Sequence, residues 1–229
     1  MIDSLMLNTF VVRTLTRRDF IAGATLASLA GSIPAQATPP GKPVAPVILV
    51  LGDSLSAEYG LKRGSGWVGL LGQRLSQERI PASIVNASIS GETTSGGRSR
   101  LASLLLQHRP THLIIELGGN DAMRGLPLSM TLDNLDQMTQ TAQASGTKVL
   151  LIGMQVPPNY GADYSQAFAA SFVTISRKRK TALVPFLLHG VADRPDAEQW
   201  FQADRIHPRE EAQSRLLDNV WPALKKLLP

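Results

Sequence analysis

Ser54 stands in Gly52-Asp53-Ser54-Leu55, directly after the apolar run Val47-Ile48-Leu49-Val50-Leu51. A serine hydroxyl attacks a carbonyl only when a base takes its proton. His207 is the candidate base. Asp204 lies three residues earlier, in Asp204-Arg205-Ile206-His207-Pro208. It is near enough in the chain to accept the proton of His207 Nδ1, which would fix the tautomer and stabilise the imidazolium. Ester hydrolysis also needs donors aimed at the tetrahedral oxyanion. Gly91 has no Cβ, so its N–H can approach a substrate closely. Asn120, in Gly118-Gly119-Asn120-Asp121, can offer a side-chain amide, and the backbone N–H of Ser54 completes the set. Plainer readings stand beside these on local sequence: Asp204 as a cap of the final helix, His207 as a surface loop residue, Asn120 as a turn residue. His108, His112 and His189 fall at a helix end, near a strand start and in a loop, and receive no role.

These residues need a frame. A β-branched and leucine run bounded by glycine predicts a buried strand at 47–51. Further strands are predicted at 82–87, 111–117, 148–154 and 182–186, with helices at 67–79, 95–108, 131–145, 163–180 and 209–228. Gly146 closes the third of these helices as a C-terminal glycine. Strands separated by helices of this length imply an α/β fold: right-handed crossovers and a five-stranded parallel sheet covered on both faces, a three-layer α/β/α sandwich. In such a sheet ligands bind at the carboxyl ends of the strands. The residues of interest all follow predicted strands, at 52–54, 88–93, 118–121, 155–160 and 204–208.

In this order, Gly52-Asp53-Ser54-Leu55, Gly91, Gly119-Asn120-Asp121 and Asp204-x-x-His207 resemble the four blocks of the SGNH (GDSL) hydrolase family. The segments 86–93, 116–121 and 158–161 look like the bacterial multifunctional acyl-CoA thioesterase, lysophospholipase and arylesterase group (TesA-like). The resemblance spans nearly the whole chain after residue 46. It implies a flavodoxin-like sandwich in which Ser54, Asp204 and His207 form a catalytic triad and Ser54, Gly91 and Asn120 the oxyanion hole. Two positions depart from the group: Arg205 where glycine is usual and Arg209 where asparagine is common, both in the loop that holds His207. The nucleophile segment differs from the Gly-x-Ser-x-Gly elbow of ordinary α/β-hydrolases.

Thr16-Arg17-Arg18-Asp19-Phe20-Ile21 resembles a twin-arginine export signature. An apolar stretch from Phe20 to Ile33 and the small residues of Pro34-Ala35-Gln36-Ala37 follow it. That stretch, about 14 residues, is shorter than the roughly 20 that span a bilayer. The expectation is a cleaved leader at 1–37, a Pro-rich linker at 38–46 and a hydrolase domain at 47–229, working in the periplasm; the general secretory route and a helix of the domain are the alternatives. Removing 1–37 takes away three arginines and two aspartates and lowers the formal charge from +5 to +4. That modest charge, without a basic stripe interleaved with aromatics, speaks against nucleic-acid binding. Cysteine is absent, which excludes disulfides, thiolate metal sites and cysteine nucleophiles. No metal or nucleotide motif appears, so no cofactor is expected.

Leu55, Met123, Leu126, Leu128 and the Pro157-Pro158-Asn159-Tyr160 loop are candidates for an acyl pocket; Met123 and Leu126 fit an ordinary core equally well. The basic run Arg177-Lys178-Arg179-Lys180 reads as a helix terminus complementing its dipole, with attraction to an anionic membrane surface or to acyl-CoA phosphates as the sharper alternative. The leading expectation is a monomeric serine esterase acting on thioesters, lysophospholipids and simple esters. Its rivals are a carbohydrate O-deacetylase of the same fold and a catalytically silent envelope-binding protein.

Overall fold

The computed structural model describes residues 45–156 and 158–229. The leader expected at 1–37 and the linker up to residue 44 lie outside them. The domain is built on one all-parallel sheet of five strands, β1 (Val47–Gly52), β2 (Ser83–Asn86), β3 (His112–Glu116), β4 (Lys148–Ile152) and β5 (Ala182–Val184), in the spatial order β2-β1-β3-β4-β5. β1 and β3 are central, and from Ile48 to Leu51 and from Leu113 to Ile115 their side chains are at most 1% exposed. Burial on both faces is why these strands read as continuous apolar runs rather than alternating ones.

The strands are joined by helices. α1 (Trp67–Gln77) packs on α6 (Gln213–Lys225), while α2 (Thr94–His108) packs on α4 (Leu128–Ala144) and α4 on α5 (Ala162–Arg179). The two groups form the outer layers of the expected sandwich. Within the second layer Phe168 and Phe172 meet edge-on at 5.4 Å. Arg179 and Lys178 at the end of α5 both bind Asp136 of α4, at 2.6 and 2.8 Å. Two of the four cations in the basic run therefore tie helices together.

Several boundaries differ from the sequence expectation. A five-residue helix, α3 (Gly119–Met123), follows β3, and a 3-10 turn forms at Ala197–Trp200; both are too short to carry a periodic pattern. The last helix begins later than 209. Arg209 is extended and donates its N–H to Trp200 at 2.8 Å, beside an antiparallel bridge between Phe201 and Pro208. The chain can turn helical only beyond that bridge.

The strand order reverses direction at β1, with β2 on one side and β3 on the other. Such a switch point opens a crevice at the carboxyl ends of the two central strands. Ser54 follows β1, and Asn120 follows β3 within α3.

Candidate active site

Three side chains from two distant segments meet at this crevice. Ser54 Oγ lies 2.8 Å from His207 Nε2, across 153 residues of sequence. The other ring nitrogen, Nδ1, lies 2.7 Å from Asp204 Oδ2. With Nδ1–H donating to the carboxylate, Nε2 is left with its lone pair facing the serine hydroxyl, the tautomer a general base requires.

The Asp204 carboxylate is held as well as holding. Its Oδ1 accepts the backbone N–H groups of Ile206 at 2.9 Å and His207 at 3.0 Å. Burial pushes its pKa up, but these two N–H groups and the His207 ring together outweigh that and bring it down to about 2. The tight turn requires Arg205 in a left-handed conformation, φ 58°, which explains why glycine is the usual residue there. Arg209, the second departure, donates Nε–H to the Phe201 carbonyl at 2.7 Å, and Gln202 N–H reaches the His207 carbonyl at 2.8 Å. Tyr59 lays its ring against the imidazole at 4.3 Å between centroids. The base is thus fixed from its backbone, its far nitrogen and its face.

The oxyanion candidates stand after the carboxyl ends of three adjacent strands, β1, β2 and β3. Asn120 Nδ2 gives one N–H to Asp53 Oδ2 at 3.0 Å, leaving the second N–H of that amide for a substrate. Gly91, φ 79°, sits after β2 in a loop tied to β1 by Ile89 N–H on the Gly52 carbonyl at 3.0 Å. The Arg124 guanidinium donates to the Gly91 carbonyl at 2.8 Å, and the Glu92 N–H of the same peptide donates to the Ile89 carbonyl at 3.1 Å, which fixes the turn that follows Gly91. Among the described residues the N–H groups of Ser54 and Gly91 donate to nothing. α3, which carries Asn120, is anchored by buried Asp121, which accepts Thr94 N–H at 2.8 Å, the Thr94 hydroxyl, and the Thr131 hydroxyl at 3.2 Å.

A cavity of about 750 Å³ opens beside Ser54. Leu55, Met123 and Tyr160 line it as the sequence suggested, but Leu126 and Leu128 do not. Leu128 instead packs on the core, because α4 starts three residues earlier than its periodicity implied and turns that side chain inward. Pro157 lies outside the described residues. Sequence reasoning missed Met154, Val156, Phe186, Leu188 and Phe201. They read as strand ends and loop residues, and their only signal is an apolar character shared with the whole core. His112 is buried, its ring between the Thr111 hydroxyl and the Leu227 carbonyl, and His189 is an exposed partner of Asp193. Among the described residues no group of histidines and carboxylates could hold a metal ion.

The arrangement can activate a hydroxyl, receive negative charge on an acyl oxygen and hold an apolar acyl chain. Comparison with known proteins points the same way. Residues 50–215 match the model of the GDSL-like lipase/acylhydrolase family. The chain is 50% identical to esterase TesA of Pseudomonas aeruginosa, over 80% of this chain and 90% of that one. It is 40% identical to thioesterase 1/protease 1/lysophospholipase L1 of Escherichia coli, over 81% and 85% of the two chains. Among solved structures, the psychrotrophic esterase EstA from Pseudoalteromonas sp., inhibited by monoethylphosphonate, superimposes with a TM-score of 0.73 at 40% identity, covering 79% of this chain and 97% of that one.

Proposed function

The chain belongs to the GDSL-like lipase/acylhydrolase family, and from that membership and the site geometry we propose that it hydrolyses carboxylic ester and thioester bonds through an acyl-enzyme on Ser54. The observation that carries the reading is the unbroken relay Ser54 Oγ, His207, Asp204, with contacts of 2.8 and 2.7 Å, at the mouth of an apolar cavity. Ser54 Oγ attacks the acyl carbon as its proton passes to His207 Nε2. The developing oxyanion is met by the N–H groups of Ser54 and Gly91 and the free N–H of Asn120. Collapse expels the alkoxide or thiolate, which takes the proton from His207. Water, deprotonated by the same nitrogen, then releases the acid and restores Ser54. Asp204 remains anionic throughout.

Acyl esters, thioesters and lysophospholipids are the substrate class favoured. A cavity of about 750 Å³ suits an acyl chain, far more than an acetyl group needs, which weighs against the carbohydrate deacetylase. Five of the six large hydrophobic side chains exposed among the described residues, Tyr59, Ile89, Met123, Tyr160 and Ile206, lie in the loops and short helical turns that connect the strands to the long helices, as an enzyme meeting amphiphiles would place them. The silent binding protein is disfavoured by the intact relay.

A serine-directed fluorophosphonate should label purified protein lacking residues 1–37. Ser54→Ala should abolish that labelling and lower p-nitrophenyl ester hydrolysis by roughly 10⁴-fold or more. Near wild-type turnover in the variant would refute the assignment.

The twin-arginine-like segment at 1–37 supports the reading of a periplasmic enzyme; the proposed state is a monomer with at most weak attraction of its basic residues to anionic lipid. Secretion that persists when Arg17 and Arg18 are both changed to lysine would argue for the general secretory route. Light scattering of the secreted form reads its mass.

A further inference from the structure

Below Ser54 lies a second pair of carboxyl groups that the relay does not use. Glu116, the last residue of β3, has no exposed surface, and Asp53 is 3% exposed. Register places Glu116 beside Gly52, where a Cβ would come within 2.9 Å of Glu116 Oε2; only glycine lets the carboxyl group lie under the turn. Oε2 accepts the Ser56 hydroxyl at 2.7 Å and, more weakly, Asp53 N–H at 3.4 Å. Oε1 is buried with no partner among the described residues. Asp53 is fully engaged: Oδ1 accepts Leu55 N–H and Oδ2 accepts the Asn120 amide, both at 3.0 Å. The contact from the Asp53 N–H sets the two buried carboxyl groups close enough for each to act on the other's charge.

The charges that face them do not neutralise a double anion. Asp53 is met by His207 from the loop before α6 and by Asp121 from α3, and Glu116 is met by Asp53 itself. No lysine or arginine among the described residues pairs with either. Two buried like charges in contact without a cation are strongly disfavoured.

We propose that Glu116 is a neutral carboxylic acid in the resting protein and a positioning residue for the oxyanion site, its hydrogen shared with Asp53 so that the Asp53 carboxylate can hold the Asn120 amide and the Leu55 N–H. Burial first, and then the neighbouring Asp53, drive the Glu116 pKa well above the carboxylate range, while burial raises Asp53 to about 6. At neutral pH the pair therefore carries one charge, on the member that touches Asn120. An unpartnered buried Oε1 also costs a neutral acid less than it would cost a carboxylate.

The kinetic part of this inference rests on the reading of Ser54 as nucleophile, whereas the protonation part does not. Infrared spectroscopy at pH 8 should show the C=O stretch of a protonated carboxyl in the wild-type protein and none in Glu116→Gln. Absence of that band in the wild type overturns the proposal, whatever the enzyme hydrolyses. Glu116→Gln keeps a neutral donor and should keep kcat near wild type. Glu116→Met fills the space without a donor; it should lower kcat by up to about 100-fold with KM unchanged and move the acid limb of the kcat profile to higher pH. A folded Glu116→Met protein with wild-type kcat and acid limb overturns the positioning role, as does a Glu116→Gln protein equally impaired. If Glu116→Met does not fold, the infrared comparison and Glu116→Gln still decide.

Discussion

Asp204 illustrates how much of a catalytic group's behaviour comes from neighbours within three residues of it. Two backbone N–H groups and one imidazole hold its charge, so it orients His207 without competing for the proton. Asp204→Asn removes the charge and invites the wrong imidazole tautomer; kcat should fall by about 10⁴-fold while KM changes little, and steady-state kinetics with a short-chain aryl ester checks this. Asn120→Ala deletes one of three oxyanion donors and should lower kcat by about 10²- to 10³-fold, with fluorophosphonate labelling of Ser54 slowed but not abolished. Both residues were legible in the sequence because their partners are close in the chain or their motif is compact. Glu116 was not. It reads as the polar end of an apolar strand, and its function depends on a contact with Asp53 across 63 residues.

Elements decide where those residues point. β1 ends in Gly52 because the turn that follows folds back over Ser56 and Glu116. In Gly52→Ala the new methyl would lie 2.7 Å from Ser56 Oγ and 2.9 Å from Glu116 Oε2. Overpacking of this kind costs about 1–3 kcal/mol; the variant should melt earlier and lose activity together, and an unchanged melting temperature would contradict the packing account. The five strands and the long helices were visible in apolar runs and spacing. α3 and the 3-10 turn at Ala197–Trp200 were not, since one or two turns cannot repeat a pattern, and yet one carries Asn120 and the other lines the cavity. Cavity shape belongs to this scale too. Val156, at the wall after β4, is 9% exposed; Val156→Trp should shorten the longest acyl chain accepted in a panel from acetyl to palmitoyl, leaving acetyl esters unaffected.

The molecule as a whole responds to pH through groups pulled in opposite directions. Asp136, paired first with Arg179 and then Lys178, and Asp204 both have folded-state values near about 2. Their contribution is present above the unfolded carboxylate range and lost as pH falls toward 2. Asp53, raised to about 6, and Glu116, raised further, act oppositely. Their contribution is fully present below the unfolded values and lost as pH rises through 6. Thermal unfolding should accordingly be most resistant near about pH 4 and resistance should decline as pH rises from there through 6, and Glu116→Gln should flatten that decline. A melting temperature that climbs steadily to pH 8 in the wild type would refute this balance.

The sequence by itself determined the alternation of strands and helices, the candidate nucleophile at a strand end, and the Asp204 and His207 pair, because each depends on residues near one another along the chain. Only the tertiary structure decided that His207 reaches Ser54 across 153 positions, that α3 turns one amide N–H of Asn120 onto Asp53, and that Glu116 lies beneath the nucleophile turn. Those contacts are set by strand register and by packing between layers. Such packing joins residues through space at distances that local spacing does not encode.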